Sequence, residues 1–321
     1  MPKYSQEVLM KIAQIETICG TDVGRNIQPL VDAARGGILG AARSLAEHPS
    51  PHVAIVTGFF LPHNNPPAAE TDGIVGCAQL AAGLNKLGIP VRIVTGSPCL
   101  AAVKIAVFAT GISTEIAFDV VSVDVIAVSE SQENFYDIIS LLKLWESMEQ
   151  AVSHIISIER PGPSDDGIIR NMRGQDITAH TAPLHLLFNS SINSQKIISI
   201  GIGDGGNEIG MGNIPKQIIR ESIRHGEKIA CSTTCDYLIV CGVSNWGANC
   251  LLAALSLLRP EWQSEIIAVL NPTSELKILE TIVYQGLAVD GVTGLASLSV
   301  DNLPWEFHAR ILNAVTQLLM V

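Results

Sequence analysis

Short apolar runs rich in β-branched residues alternate along this chain with longer stretches whose apolar residues recur three and four apart, and no feature limits the fold more. Residues 53–56, 91–94, 120–128, 154–158, 197–200, 237–240 and 266–270 read as buried strands. Between them, residues 77–87, 135–152, 248–258 and 275–285 carry helical spacing. Strand and helix in turn imply an α/β fold, a mainly parallel sheet flanked by helices on both faces, Rossmann-like and three layers deep. The first fifty residues read as a helical segment packing on the edge of that sheet, with Pro49-Ser50-Pro51 the best boundary. No internal repeat, low-complexity block or clear linker divides the rest, so residues 1–321 are expected to form a single α/β domain.

Charge narrows the partners. A formal net charge of −11 disfavours nucleic acid and anionic membrane surfaces, which need basic patches. Small molecules and protein neighbours remain, a second copy of the chain among them. The seven cysteines include no CxxC pair, so reduced thiols of a cytoplasmic protein are expected rather than disulfides or a zinc site. The start, Met1 to Glu7, lacks the apolar run of a signal peptide, and no apolar stretch reaches bilayer length.

The segments that follow the strands carry the chemistry. Residues 53–56 lead into Thr57-Gly58 and then Glu70-Thr71-Asp72-Gly73, and the strand ending at Ile158 leads into Glu159-Arg160. Ile200 opens onto the glycine-dense run from Gly201 to Gly212, which also holds Asp204 and Glu208; Val240 leads into Cys241-Gly242-Val243-Ser244-Asn245. In an open parallel sheet these ends share one edge, where ligands bind, so the loops are predicted to converge.

Each motif has a plainer reading beside the functional one. Gly201-x-Gly203-x-x-Gly206 matches the dinucleotide fingerprint formally, yet Asp204 and Glu208 would crowd acid against a pyrophosphate. With Asn207 between them, those two acids suit a hard cation such as Mg²⁺ or Mn²⁺, or a substrate ammonium; a tight structural turn is the plain alternative. Glu70 and Asp72 precede a predicted helix, so they either cap its N–H groups or reach into the strand-end pocket. Glu159-Arg160 reads as a buried ion pair or as a fork for a carboxylate ligand. Asp166, Asn171 and Arg173 occupy a polar loop that is surface or lid, and Ser244 is an obvious helix cap. His180 and His185 stand at no metal-binding spacing and read as structural.

Taken in order, Pro66 to Gly73, Ile158-Glu159-Arg160, Asp166-Gly167 with Asn171 and Arg173, Gly203 to Gly212, Gly242 to Gly247 and Gly291-Val292-Thr293-Gly294 resemble the D-glutamate cyclase C-terminal-like family, over roughly residues 20 to 315. The resemblance implies a hydro-lyase that converts D-glutamate, a small acidic amino acid, to 5-oxo-D-proline with loss of water. Under it, Glu70 or Asp72 takes the ammonium proton. A cation on Asp204 and Glu208, or the N–H groups of Gly205 and Gly206, polarises the γ-carboxyl. Arg160 or Arg173 grips the α-carboxylate, and Ser244 with Asn245 orients the remaining oxygens. Thr57, Gly58, Glu159, Asp166, Asn171 and Asn207 complete the expected substrate-binding set. Two alternatives stand beside this: a nucleotide- or phosphate-binding enzyme, though no Walker lysine accompanies the glycine loop, and a non-catalytic binder of an acidic amino acid.

Overall fold

A computed structural model of the chain describes residues 3–112, 121–128, 133–192 and 196–320. Its central sheet has six strands, β1 (Val53–Thr57), β2 (Val91–Gly96), β3 (Val121–Ile126), β4 (His154–Ile158), β5 (Ile198–Gly203) and β6 (Tyr237–Val240). Val120, at the start of one expected strand, lies outside the described residues. The spatial order is β3-β2-β1-β4-β5-β6 and every pairing is parallel. Strand order therefore reverses between β1 and β4, the position where an open α/β sheet splays its loops apart and leaves a crevice.

Both faces of the sheet are covered, which is why a central strand such as β1 reads as a near-continuous apolar run rather than as an alternating one. Val53 and Ile55 of β1 join one core, while Ala54 and Val56 point into another on the opposite face. The larger core holds α4 (Ile74–Lys86), α5 (Leu100–Ala109) and α9 (Ser244–Leu258), backed by α11 (Pro272–Tyr284) and α12 (Trp305–Met320). Every residue of α9 is buried, so this helix is enclosed all round and acts as the hub of that face. On the other face lie α6 (Glu133–Ser147) and, towards β6, α2 (Gln28–Ala33) and α7 (Lys216–Ser222).

The first fifty residues form α1 (Gln6–Cys19), α2 and α3 (Gly37–Glu47); α1 and α3 pack on α9, and α3 also meets edge strand β6. One expected strand is wrong. Residues 266–269 belong to helix α10 (Gln263–Val269) and Leu270 caps it, with Ile266 and Val269 buried three apart and Ala268 exposed between them. A five-residue apolar run does not separate a strand from a buried helical turn by itself. Pro260 before it and Asn271-Pro272 after it, which cap and open α11, supply the helical punctuation. No helix among the described residues is long and apolar enough to cross a membrane.

Candidate active site

Four loops at the C-terminal ends of β1, β4, β5 and β6 meet on one rim. After β1 the chain makes a short antiparallel pair, Phe60–Leu61 with Ala68–Glu70, and Ala288–Val289 adds alongside it in parallel. This side sheet sets Glu70 against Gly291, where a Cβ atom would lie 2.2 Å from Glu70 Oε2. Only glycine lets the carboxylate sit there.

Two residues further on, Asp72 joins segments far apart in the chain. Its Oδ1 accepts from the N–H groups of Gly73 (2.9 Å) and Asn245 (2.8 Å), and its Oδ2 accepts from the N–H of Ser244 (2.9 Å). Asp72 thus caps α9 rather than the helix that follows it in sequence. Burial and the nearby Asp301 push its carboxyl up to about 8, against the pull of those three N–H donors. Asn245 returns the connection through its own Oδ1, which accepts from the N–H of Gly76 at 2.6 Å.

The glycine run is closed by its own glutamate. Glu208 Oε1 accepts from the N–H of Gly205 (2.7 Å) and more weakly of Asp204 (3.4 Å), and Oε2 accepts from Gly206 (2.8 Å). The N–H groups of Gly205 and Gly206 are therefore spent inside the loop, not held out toward a substrate oxyanion. A Cβ on Gly205 would stand 2.6 Å from Met172 Sδ, so the glycine here serves close packing. The segment after Gly206 turns through Glu208 and Gly210 without opening a helix, and a dinucleotide fingerprint needs that helix.

Around this loop, Glu70, Asp72, Glu159, Asp204 and Glu208 are all buried, and Asp301 joins them from the turn between the short strands Ser299–Val300 and Leu303–Pro304. One carboxylate oxygen each of Asp72, Asp204 and Asp301 lies within 4.8 Å of the other two, and the same holds for Glu159, Asp204 and Glu208. Asp204 is common to both groups. Burial raises the carboxyls of Glu70, Glu159, Asp204 and Glu208 above the usual range; mutual repulsion adds to it at the first three, Arg25 opposes it at Glu70 and Asp204, and the loop's backbone N–H groups oppose it at Glu208. Glu159 holds a left-handed backbone, φ 45°, and its Oε2 accepts from Ser244 Oγ at 2.5 Å. A non-glycine residue in that conformation costs of order 1–3 kcal/mol and tends to persist where function needs it.

Arg25 is the cation of the cluster. It reaches in from the connection between α1 and α2, placing Nη1 2.6 Å from Asp204 Oδ1 and Nη2 2.7 Å from Asp301 Oδ1. Arg25, Glu70, Glu159, Asp204 and Asp301 face a cavity of about 190 Å³, whose mouth carries Asn171 and Arg173 and whose apolar wall is Phe59, Leu61 and Met172. Three carboxylate oxygens of this lining, Glu70 Oε1, Asp204 Oδ2 and Asp301 Oδ2, are buried without a hydrogen-bond partner among the described residues.

Other expected residues stand back from the cavity. The Arg160 guanidinium donates to the carbonyls of Gly58 and, at 2.6 Å, of Ala182, so it knits loops together and points at no carboxylate. Burial lowers its pKa to about 10. Thr57 donates its hydroxyl to the Ile158 carbonyl, 3.0 Å away, inside the sheet. Asp166 pairs with Arg170 at 2.6 Å beside a separate surface cleft. Asn207 is fully buried and donates to the Arg170 carbonyl at 2.9 Å.

Sequence reasoning missed Arg25 and Asp301. Val300-Asp301-Asn302-Leu303 holds the signal for one of them: φ is 57° at Asp301 and 62° at Asn302, the paired left-handed residues of a two-residue hairpin turn. Arg25 gave no local sign, because its role depends on where the connection between α1 and α2 comes to rest.

Fold and site define an α/β protein with a carboxylate-lined cavity at the point where the order of its parallel strands reverses. The chain belongs to the family described as D-glutamate cyclase-like, C-terminal, which it matches over residues 15–316. It is similar to the D-glutamate cyclase, mitochondrial, of Homo sapiens, at 31% identity over an alignment 333 positions long that covers 94% of this chain and 51% of that protein. The chain thus spans about half the length of that relative.

Proposed function

We propose that this chain is a D-glutamate cyclase-like lyase that closes D-glutamate to 5-oxo-D-proline with loss of water. The observation that carries this reading is the set of unpartnered, buried carboxylate oxygens on a small cavity whose cations are Arg25 and, at the mouth, Arg173. A buried acceptor left unsatisfied costs about 1–3 kcal/mol, more when charged, and a ligand ammonium recovers that cost. The family match supports the choice of amino acid.

Cyclisation joins the α-nitrogen to the γ-carbon: a C–N bond forms, a C–O bond breaks, and the two protons shed by the ammonium leave on the departing oxygen as water. The enzyme must therefore hold acceptors and donors of protons side by side. Buried carboxyls with raised pKa values serve both roles near neutral pH, and Glu70, whose Oε1 is free, is the acceptor we assign to the ammonium proton. Asp72 spends both oxygens on backbone N–H groups and holds the rim in shape. Arg173 takes the α-carboxylate at the mouth, and the hydroxyl of Ser244, tied to Glu159, orients the γ-carboxyl.

A divalent cation is the second reading. Mg²⁺ or Mn²⁺ on Asp204 and Glu208 would polarise the γ-carboxyl. Glu208 already holds three N–H groups and Asp204 already holds Arg25, which favours the ammonium as the resident positive charge. Incubation of the purified chain with D- and L-glutamate, with and without Mg²⁺ or Mn²⁺, and chiral detection of 5-oxoproline tests both readings. Product from D-glutamate that disappears in Asp204→Asn with the fold intact is the expected result. No product under any of these conditions refutes the proposal.

A further inference from the structure

We propose that Asp204 and Asp301 form a paired receptor for the substrate ammonium, and that Arg25 is the residue that positions the pair. This rests on the cyclase reading for the identity of the amino acid, but its geometry stands separately.

The Arg25 fork does not close on one carboxylate. Guanidinium and carboxylate match in a bidentate pair, two N–H groups on two oxygens of the same acid. Here the fork is split: one nitrogen meets Asp204 Oδ1 and the other meets Asp301 Oδ1. Each acid is left with its second oxygen, Oδ2, buried and without a partner among the described residues, although both line the cavity. A purely structural ion triad would satisfy those oxygens. An ammonium has three donors and no acceptor, so it takes the free oxygens of Asp204 and Asp301 and has one hydrogen left for a further acceptor on the cavity lining.

Each member of the pair is fixed by its own scaffold, as a receptor requires. Asp22 Oδ1 accepts from the N–H groups of Gly24 (2.9 Å) and Arg25 (2.8 Å), which sets the Arg25 backbone before its side chain is counted. Asp290 Oδ2 accepts from the Asn302 N–H and the Ser299 hydroxyl, at 2.8 and 2.7 Å, and so pins the turn that carries Asp301. Asp204 stands at the end of β5 in the loop that Glu208 closes. The N-terminal helical segment, which covers one side of the fold, thereby also completes the site.

The test compares D-glutamate with glutarate, which has the same carbon chain and both carboxylates but no ammonium. Calorimetric titration of the wild type, Asp301→Asn, Arg25→Met and Arg25→Lys with each ligand gives the preference for the amine. The wild type is expected to favour D-glutamate, and Asp301→Asn to lose roughly tenfold or more of that preference while glutarate binding stays within about twofold. Arg25→Met is expected to lose a similar factor, and Arg25→Lys to regain only part of it, since a single ammonium does not span two carboxylates as the fork does. In turnover, the loss is expected in KM more than in kcat for Asp301→Asn. Asp204→Asn, with its preference read in the same way, replaces any variant that fails to fold. Amine preference unchanged in folded Asp301→Asn and Arg25→Met, or in Asp204→Asn where it stands in, overturns the inference. Amine preference that depends on these residues without formation of 5-oxoproline leaves the receptor standing and removes the cyclase reading instead.

Discussion

Asp72 offers the sharpest separation of architecture from chemistry. Replacement by alanine leaves the N–H groups of Gly73, Ser244 and Asn245 buried with no acceptor, and each such group costs about 1–3 kcal/mol. Partial relaxation lowers the sum, so the expected destabilisation is roughly 3–5 kcal/mol. Asparagine behaves differently. Its carbonyl oxygen keeps the two bonds made by Oδ1, while its amide nitrogen faces the Ser244 N–H, donor against donor, so one bond is lost at about 1–3 kcal/mol. The expected order of stability is wild type, then Asp72→Asn, then Asp72→Ala, read by urea unfolding, with 5-oxoproline formation measured on the same samples. Asp72→Asn is expected to retain a measurable fraction of turnover. If Asp72→Ala unfolds at the wild-type midpoint while Asp72→Asn is folded and inactive, Asp72 is a proton carrier and the capping argument is wrong.

Three further outcomes are expected. Burial raises Glu275 to about 7, with Asn249 opposing at 3.1 Å, so its contribution to stability is fully present below the ordinary 4.5 and is lost as pH rises through about 7. The swing is roughly 3 kcal/mol, and Glu275→Gln should remove it; an identical stability–pH slope in the variant speaks against the buried acid. Gly291→Ala would set a Cβ atom 2.2 Å from Glu70 Oε2, so the Glu70 carboxylate must shift; turnover is expected to fall tenfold or more for about 1–3 kcal/mol of stability, and undiminished turnover would exclude Glu70 from the reaction. Leu251→Ala, in the fully buried α9, should cost about 2–5 kcal/mol in denaturant titration yet leave the KM for D-glutamate unchanged, and a raised KM would mean that the helix hub and the site are coupled.

The chain's local patterning was enough for the architecture. A run such as 53–56, apolar throughout and mostly β-branched, states that both of its faces are buried, and helical spacing between such runs states what covers them. The same logic failed at 266–270, where five apolar residues fit a strand or a helical turn equally and the flanking prolines decided for the helix. Asp204 and Glu208 were legible as a pair because glycine density and acid sit together in one short segment.

Roles inside the cavity were not legible in this way. Asp72 and Glu208 look alike in sequence to Glu70 and Asp204, acids beside glycines at strand ends, yet the first two spend their oxygens on backbone N–H groups and the other two each keep one free. That difference depends on which N–H groups the folded chain brings within 3 Å, and for Asp72 two of them come from residues 244 and 245. Arg160 likewise lies next to a site acid in sequence but turns its guanidinium to two carbonyls, whereas Arg25, far from every motif, supplies the cation. Residue type and spacing decided that this protein would have a parallel sheet and an acidic rim, because burial and periodicity are local properties of the chain. Only the tertiary structure decided which acids stay free to meet a ligand, because hydrogen-bond satisfaction is settled between segments that the sequence keeps apart.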